Sequence, residues 1–537
     1  KMKKLLFIIL LSSISTYSQN TSNSQKLDSI SSIQNLDEVT VDALRAKDDT
    51  PIPFKNIVKA DLVKINLAQD IPTLIKNTPS VLMHSDGGTG IGYSAIHIRG
   101  SDETRVNVTI NGVPYNDSES MNVYWVDLPD FASSVESIQI QRGVGTSTNG
   151  AGAFGGSLNI QTAAASEDTM FEITNTLGSF NTMKNSVGFS TGFINNNFEF
   201  SGRLSRIKSD GYIDRSGSNL RSYFLQGVYQ DENTLIKLLN FAGHEVTDQA
   251  WYGVDVETLN SNRTYNPAGE YYHEDGDVEY YENQDDNYKQ DNYQLHWNQI
   301  LDNGWISNIG LHYTYGRGYY ENYNVAHEDH DEDHEEHGED HDEDHEEHGE
   351  DHDEDHEDHE DHEEHEEVDT IDRRWLDNKF YGMIFSFSKE TEKFDAVIGG
   401  AYNVYNGKHF GEYLWKGEAH EEEHEEDHEE HEEHGFEYKD RFYDDKGDKK
   451  EFNIYAKIDY HLTDQLSIYG DLQYRSIAYD ATFSPYSGGG DGHNHGNVGD
   501  EVFTEIDKKY DFFNPKFCFF YNLNPKNAFY LSYARAQ

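Results

Sequence analysis

Ile309-Gly310-Leu311-His312-Tyr313-Thr314-Tyr315-Gly316 is the stretch on which the fold turns. Every second residue is large and apolar or aromatic, and the residues between them are small or polar. Successive side chains of a β-strand point to opposite faces, so Ile309, Leu311, Tyr313 and Tyr315 share one face. The same period returns in Leu466, Ile468, Gly470, Leu472 and Tyr474 set against Ser467, Tyr469, Asp471, Gln473 and Arg475. It is also present in Tyr293, Leu295 and Trp297, and in Phe198, Phe200 and Leu204. A soluble antiparallel sandwich alternates in the same way, so the pattern predicts strands and leaves their surroundings open.

The rest of the chain narrows the choice. Lys1, Lys3 and Lys4 precede the apolar run from Leu5 to Leu11, and Thr16 and Ser18 stand three and one positions before Gln19. A basic start, a short apolar run and small residues at those positions predict a secretory signal over residues 1–18, too short to span a bilayer. No other run approaches the ~20 apolar residues of a transmembrane helix, so a membrane role would have to use strands. The export signal, aromatic-rich strand ends, short turns such as Asn195-Asn196-Asn197 and long polar connections together favour an outer-membrane barrel.

Composition agrees. Aromatic residues make up 13% of the 537 residues while all hydrophobic types reach 35%, a balance unlike that of a helical globular enzyme. Cys518, the single cysteine, excludes an intramolecular disulfide framework and a Cys-rich metal site, and its aromatic neighbours place it in a strand as a small apolar residue. A formal charge of −58 makes nucleic acid an improbable partner and cations the natural one. No nucleophile, base and orienting group assemble, so the sequence gives no reason to expect an enzyme.

Residues 49–165 differ from the strands beyond them. They mix helix and strand signals, among them Leu62 to Leu67 and a helical Ile71-Pro72-Thr73-Leu74-Ile75 with Pro near its start. Tight turns are expected where glycines crowd between Gly143 and Gly156. This predicts a small α+β domain ahead of the strands of residues 166–537, preceded by a flexible leader over residues 19–48.

At this point the chain resembles the TonB-dependent outer-membrane receptors. Leu36-Asp37-Glu38-Val39-Thr40-Val41 resembles the family's TonB box, and Asp70 to Val81 is similar to the early helix and turn of its plug. Ile98-Arg99-Gly100, then Val106 to Pro114 with Asn111 and Gly112, then Val135 to Gly143 ending in Arg142-Gly143, follow the plug pattern in order. Asn149 to Ile160, with Gly155 and Gly156, closes it. The resemblance implies a mostly β protein, a plug inside an antiparallel transmembrane barrel of about 22 strands. It further implies energised import of a scarce ligand and a TonB-type energy-transducing partner in the periplasm. Outer-membrane lipid would surround the barrel, and no cofactor would be required. Val39 and Val41 on one side of an extended segment, with Asp37, Glu38 and Thr40 beside them, suit strand addition to a partner's sheet edge; a first plug strand is the alternative.

Once the His- and acid-rich runs at residues 327–367 and 420–434 are set aside, the residues after the plug supply about two thirds of the strands such a barrel needs, at roughly 10 residues per strand plus connections. The alternation of Phe529, Leu531 and Tyr533 carries no terminal aromatic residue after it. Both features suggest a piece of a longer protein, and the short leader suggests no additional N-terminal domain.

Those two runs carry most of the charge. Residues 327–367 contain 12 His, 2 Gly and 27 carboxylates, and residues 420–434 contain 5 His and 10 carboxylates. The histidines are His327, His330, His334, His337, His341, His345, His348, His352, His356, His359, His362 and His365, then His420, His424, His428, His431 and His434. Steps of three or four residues put neighbouring imidazoles on one face of a helix, which the carboxylates oppose until a cation relieves their repulsion. Neutral imidazole with carboxylate suits zinc, nickel or copper, whereas calcium needs no histidine. Zinc or a similar divalent metal is therefore the expected bound ligand, captured in many interchangeable sites within the loops of residues 327–367 and 418–434. Repeat expansion in a solvated loop would give the same sequence.

Other motifs are weaker. Gly87-Gly88-Thr89-Gly90-Ile91-Gly92 brushes against a phosphate loop, but no Lys comes after it and no strand is expected before it, so it reads as a plug loop. Asp275, Asp277, Glu279, Asp285 and Asp286 miss the calcium-loop spacing and read as a solvated loop. The function expected is import of a metal ion or metal chelate, with an iron siderophore or another organometallic chelate as the alternative ligand. An outer-surface metal buffer or adhesin using the barrel as an anchor is the alternative class.

Overall fold

A computed structural model describes residues 45–47, 52–145, 150, 153–272, 277–325, 368–417, 441–484, 504–524 and 527–535. The signal segment, the box at residues 36–41 and both histidine runs lie outside the described residues.

The first domain contains β1 (Phe54–Val58), β2 (Val81–Ser85), β3 (Ser94–Ile98), β4 (Val106–Ile110), β5 (Val113–Pro114), β6 (Val135–Arg142) and β7 (Gly156–Thr162). Its main sheet has the order β1-β6-β7-β4-β5, with β4 and β7 parallel, and β2-β3 form a separate hairpin. Two short helices, α1 (Lys59–Ile65) and α2 (Ile71–Ile75), pack on it through Leu62, Ile71, Leu74 and Ile75. Helix α2 carries Pro72 at its start, where the missing N–H is an orphan in any case. Ile98, Ile110, Ile138, Ile140 and Leu158 form the centre of an ordinary apolar core.

Thirteen further strands form one antiparallel up-and-down sheet that wraps this domain. They are β8 (Thr169–Leu177), β9 (Met183–Thr191), β10 (Phe198–Ser209), β11 (Ser218–Gln230) and β12 (Thr234–Asp248). After a small hairpin of β13 (Glu270–Tyr272) and β14 (Val278–Tyr280) come β15 (Asp285–Ile300), β16 (Ile306–Asn324), β17 (Thr370–Glu390) and β18 (Phe394–Lys416). β19 (Arg441–His461), β20 (Leu466–Phe483), β21 (Thr504–Asn524) and β22 (Asn527–Ala534) complete the sheet, with β8 and β22 at its two edges.

The alternation of the strand sequences now has a direction. Leu238, Leu295, Leu311, Met383, Tyr402 and Phe452 are cross-strand neighbours on six consecutive strands, and all of them face outward and are exposed. One residue along, Gln294, His312 and Asn403 lie in line on the lumen side and are buried. Large apolar groups outside and polar groups inside invert the order of a soluble sandwich and match a sheet whose outer solvent is lipid. Tyr293, Tyr313 and Tyr381 form an outward aromatic file across three strands, with ring centroids 6.2 and 6.5 Å apart.

Up-and-down order sorts the connections. Those at one rim are short, spanning residues 192–197, 231–233, 301–305, 391–393 and 462–465. Those at the other include residues 249–284, 325–369, 417–440 and 484–503. Both histidine runs, and His493 with His495, therefore belong to connections leaving the same rim.

Candidate binding cavity

Between the plug and the inner wall, on the side of the long connections, lies a cavity of 770 Å³. Its plug side is a loop, residues 115–124, fixed by local side chains. Asn116 Oδ1 accepts from the Val108 N–H at 2.7 Å while its amide donates to the Val106 and Met121 carbonyls. Asp117 Oδ1 accepts from the N–H groups of Glu119 and Ser120 at 3.0 and 2.7 Å, a turn that Asp favours. Glu119 is thereby aimed at the wall, where Tyr405 (2.8 Å), His409 (2.7 Å) and Tyr479 (3.1 Å) bond to its carboxylate. Burial raises the pKa of Glu119, yet the bonds from His409, Tyr405 and Tyr479 outweigh it and hold this carboxyl below its ordinary value.

The floor comes from a short 3-10 turn, Trp125–Asp127, lying flat on β12. Gly243 permits that approach, since a Cβ there would collide with the Asp127 carbonyl oxygen. Asp127 then faces Glu245 on the same strand and Asp286 on β15. Burial pushes the Asp127 carboxyl well above its ordinary pKa, and the neighbouring charges of Asp286 and Asp117 push it further. Tyr93, arriving from the β2-β3 loop, donates to Asp286 and stands 3.5 Å from Glu245. Its ring meets Trp251 edge-on at 5.2 Å, and Trp251 meets Tyr320 at 6.2 Å. Tyr115, Tyr288, Tyr319 and Trp375 continue the aromatic wall.

Beside the cavity the plug is locked to the wall by polar contacts. Asp130 pairs with Arg203 at 3.0 Å and with Lys184, all three being buried. Phe131 supplies an apolar peg, with its ring 5.1 Å from Phe241 and 6.3 Å from Phe224 on the wall.

The residues singled out in the plug pattern are placed elsewhere. Asn111 and Gly112 both have positive φ, 53° and 82°, and form the tight turn between β4 and β5. The Asn111 side chain accepts from the Thr162 N–H and donates to Gln294 on the wall at 3.1 Å. Arg99 and Gly100 turn the chain after β3, and Gly143 packs so closely that a Cβ would lie 2.6 Å from Arg99 Nη1. Arg142 ends β6, while Gly155 and Gly156 lead into β7. None of these eight residues lines the cavity. Among the described residues, no group of three or more His, Cys, Asp or Glu side chains is disposed to hold a metal ion.

Two readings need correction. A strand, β2, does precede Gly87–Gly92; the next element is β3 rather than a helix, so no helix N-terminus is available for a phosphate. The acidic group read as a solvated loop is largely ordered, with Glu279 in β14 and Asp285 and Asp286 opening β15, and Asp286 faces the cavity. Nothing in the sequence pointed to Tyr93, Asp127, Glu245 or Trp251, which come from a plug loop, a plug turn, β12 and the connection after it, and meet only through the seating of the plug on the wall.

At the short-turn rim, Arg45 donates to the carbonyls of Ser137 (3.3 Å) and Asn159 (2.7 Å), and the backbone of Ala46 exchanges two bonds with the Gln139 amide. Lys47 pairs with Glu390 and Asp395 beside the β17-β18 turn.

Known proteins fit this geometry. The family model described as TonB-dependent Receptor Plug Domain matches residues 46–157, and the one described as TonB dependent receptor-like, beta-barrel matches residues 247–537. A probable TonB-dependent siderophore receptor, PirA of Acinetobacter baumannii, is 29% identical over 123 residues, covering 21% of this chain and 16% of that protein. The ferric yersiniabactin uptake receptor FyuA of Yersinia pestis superposes with a TM-score of 0.59 at 12% identity, over 88% of this chain and 62% of FyuA. The copper transporter OprC gives a TM-score of 0.60 at 12% identity, over 90% of this chain and 64% of OprC. The chain thus spans less than two thirds of the length of these relatives.

Proposed function

Since the chain belongs to the TonB-dependent receptor family, with the fold of outer-membrane transporters rather than of enzymes, we propose that it imports a metal chelate through its barrel. The observation that carries this reading is the cavity shared by plug and wall below the long-connection rim, large enough for a chelate and walled by aromatic rings. A ligand there touches both bodies at once, so its arrival can be felt by the plug. Residues 36–41 are proposed as the segment that a TonB-type protein takes up as an added strand, a few residues before the anchored Arg45. PirA is named for a siderophore, FyuA for ferric yersiniabactin and OprC for copper, which supports a chelated or coordinated metal as cargo.

A second reading, capture of zinc-type ions by the histidine runs, is favoured by one observation. Both runs and His493 with His495 belong to connections of the same rim, where captured metal would be concentrated at the mouth.

The test replaces Val39 and Val41 with Pro in the full-length protein. Pro removes backbone donors that strand addition requires, so energised uptake is expected to vanish while chelate binding stays intact. Unchanged uptake would place the box elsewhere. Titration of residues 327–434 with zinc, compared with a His-to-Asn version, tests the second reading, and equal binding by the two would end it.

A further inference from the structure

Five carboxylates line the cavity, those of Asp86, Asp117, Asp127, Glu245 and Asp286, against two basic side chains, Arg374 and His409. Both basic groups are already engaged, Arg374 with Asp372 at 3.2 Å and His409 with Glu119 at 2.7 Å. Asp127 and Glu245 are each 2% exposed. Among the described residues, Asp127 Oδ1 and Glu245 Oε2 have no hydrogen-bond partner. Tyr93 has a single proton, which it directs to Asp286, so it cannot satisfy the carboxylates on both sides of it. Buried acceptors without partners are rare in folded proteins, and a cluster of them at the floor of a cavity calls for a ligand that supplies donors and positive charge. The walls suit such a ligand as well, because the faces of Trp251 and of the tyrosines attract cations. A bare divalent ion fits less well, since no three of these side chains converge on one point.

We infer that the cavity selects ligands bearing an ammonium or guanidinium group, which is received at the floor by the unpartnered oxygens of Asp127 and Glu245, with Asp286 adding negative charge beside them. This rests on the reading of the cavity as the chelate site and adds the sign of the charge it recognises.

The test is calorimetric titration of the full-length receptor in detergent with ferric desferrioxamine B, whose hydroxamate chelate leaves one ammonium, and with its N-acetylated form, alike in shape without that charge. Ferric citrate serves as an anionic chelate and zinc chloride as metal alone. The ammonium form is expected to bind about tenfold more tightly than the acetylated form. The double variant Asp127→Asn with Glu245→Gln should reduce that ratio to within about twofold, a factor worth less than about 0.5 kcal/mol. Equal binding of both forms by the wild type overturns the inference without relying on any variant and leaves the chelate reading standing. Preference for ferric citrate, a ratio that survives the double variant, or displacement of the ammonium chelate by zinc alone overturns it too. If none of the chelates binds at about 1 mM, a Kd equivalent to roughly −4 kcal/mol, the inference and the chelate reading fall together.

Discussion

In the plug, Ile98, Ile110, Ile138, Ile140 and Leu158 are fully buried; in the barrel, Leu238, Leu295 and Leu311 stand exposed while Gln294, His312 and Asn403 are buried. One chain therefore uses opposite patterning in two regions, and each pattern is set by the solvent around it. The plug is surrounded by a polar lumen and must hold itself together by an apolar core. The barrel faces lipid outside and needs no apolar core, because its ladder satisfies every paired backbone group. The contacts between them are mostly polar: Asp130 with Lys184 and Arg203, Asn111 with Gln294, Tyr115 with Gln290, and the Lys237 ammonium on the Ala163 carbonyl. The polar groups can be hydrated when a plug held this way leaves its wall, whereas the apolar contacts cannot: the Phe131 peg, the packing of Ile91 and Val126 against Ile207 and Leu220, and that of Val113 against Ile384 and Ala401.

This contrast can be broken most severely at Asp130. Asp130→Ala would strand two buried cations, and removing one partner from a buried ion cluster costs about 3–5 kcal/mol. Calorimetry or limited proteolysis should show the plug loosened while the heat-modifiable migration of the barrel is kept. A loss below about 1 kcal/mol would mean that the lock is wetter than its burial implies.

Leu238→Arg addresses the barrel alone. An Arg on the lipid face costs about 2–4 kcal/mol near the midplane and about 0–1 near the interfaces, so refolding into bilayers measures how deep this belt sits. Hydrogen exchange in the plug should be unchanged, and a matching change there would show that the two regions are not independent.

The smallest effect is expected where the two regions meet at the loop. The Glu119 pKa is held below its ordinary value of 4.5, so its stabilising bonds are present above that pH and are lost as pH falls through the lower folded value. Glu119→Gln at neutral pH should imitate that loss at about 1–3 kcal/mol, read as faster amide exchange over residues 115–124. Protection that is equal at pH 7 and in acid would remove Glu119 as the tie between loop and wall.

How much of this was legible in advance depends on the range of each signal. Alternation is local, so Ile309 to Gly316 and Leu466 to Arg475 announced strands and their two faces without any knowledge of partners. The short helix with Pro72 was equally local. The cavity was not, because Tyr93, Asp127, Glu245 and Asp286 come together only through the register of β12 with β15 and the seating of a plug turn over Gly243. A slip of one residue would turn Glu245 outward and bring a neighbour in. Asp286 illustrates the limit, since its acidic neighbours read as a loop and the ladder made it a strand.

The anchorage of residues 45–47 has a mechanical consequence. Arg45 and Ala46 are bound to β6 and β7 through five hydrogen bonds within two residues. A tension applied ahead of Arg45 reaches those bonds nearly together instead of peeling them in turn, so the clasp gives way at a threshold rather than creeping. Lys47, tied to the barrel turn, brings the far end of the same clasp to a stationary post. A weak tug is thereby borne jointly by β6 and β7 through these bonds and by the wall through Lys47, and only a pull strong enough to open the clasp frees the segment from both.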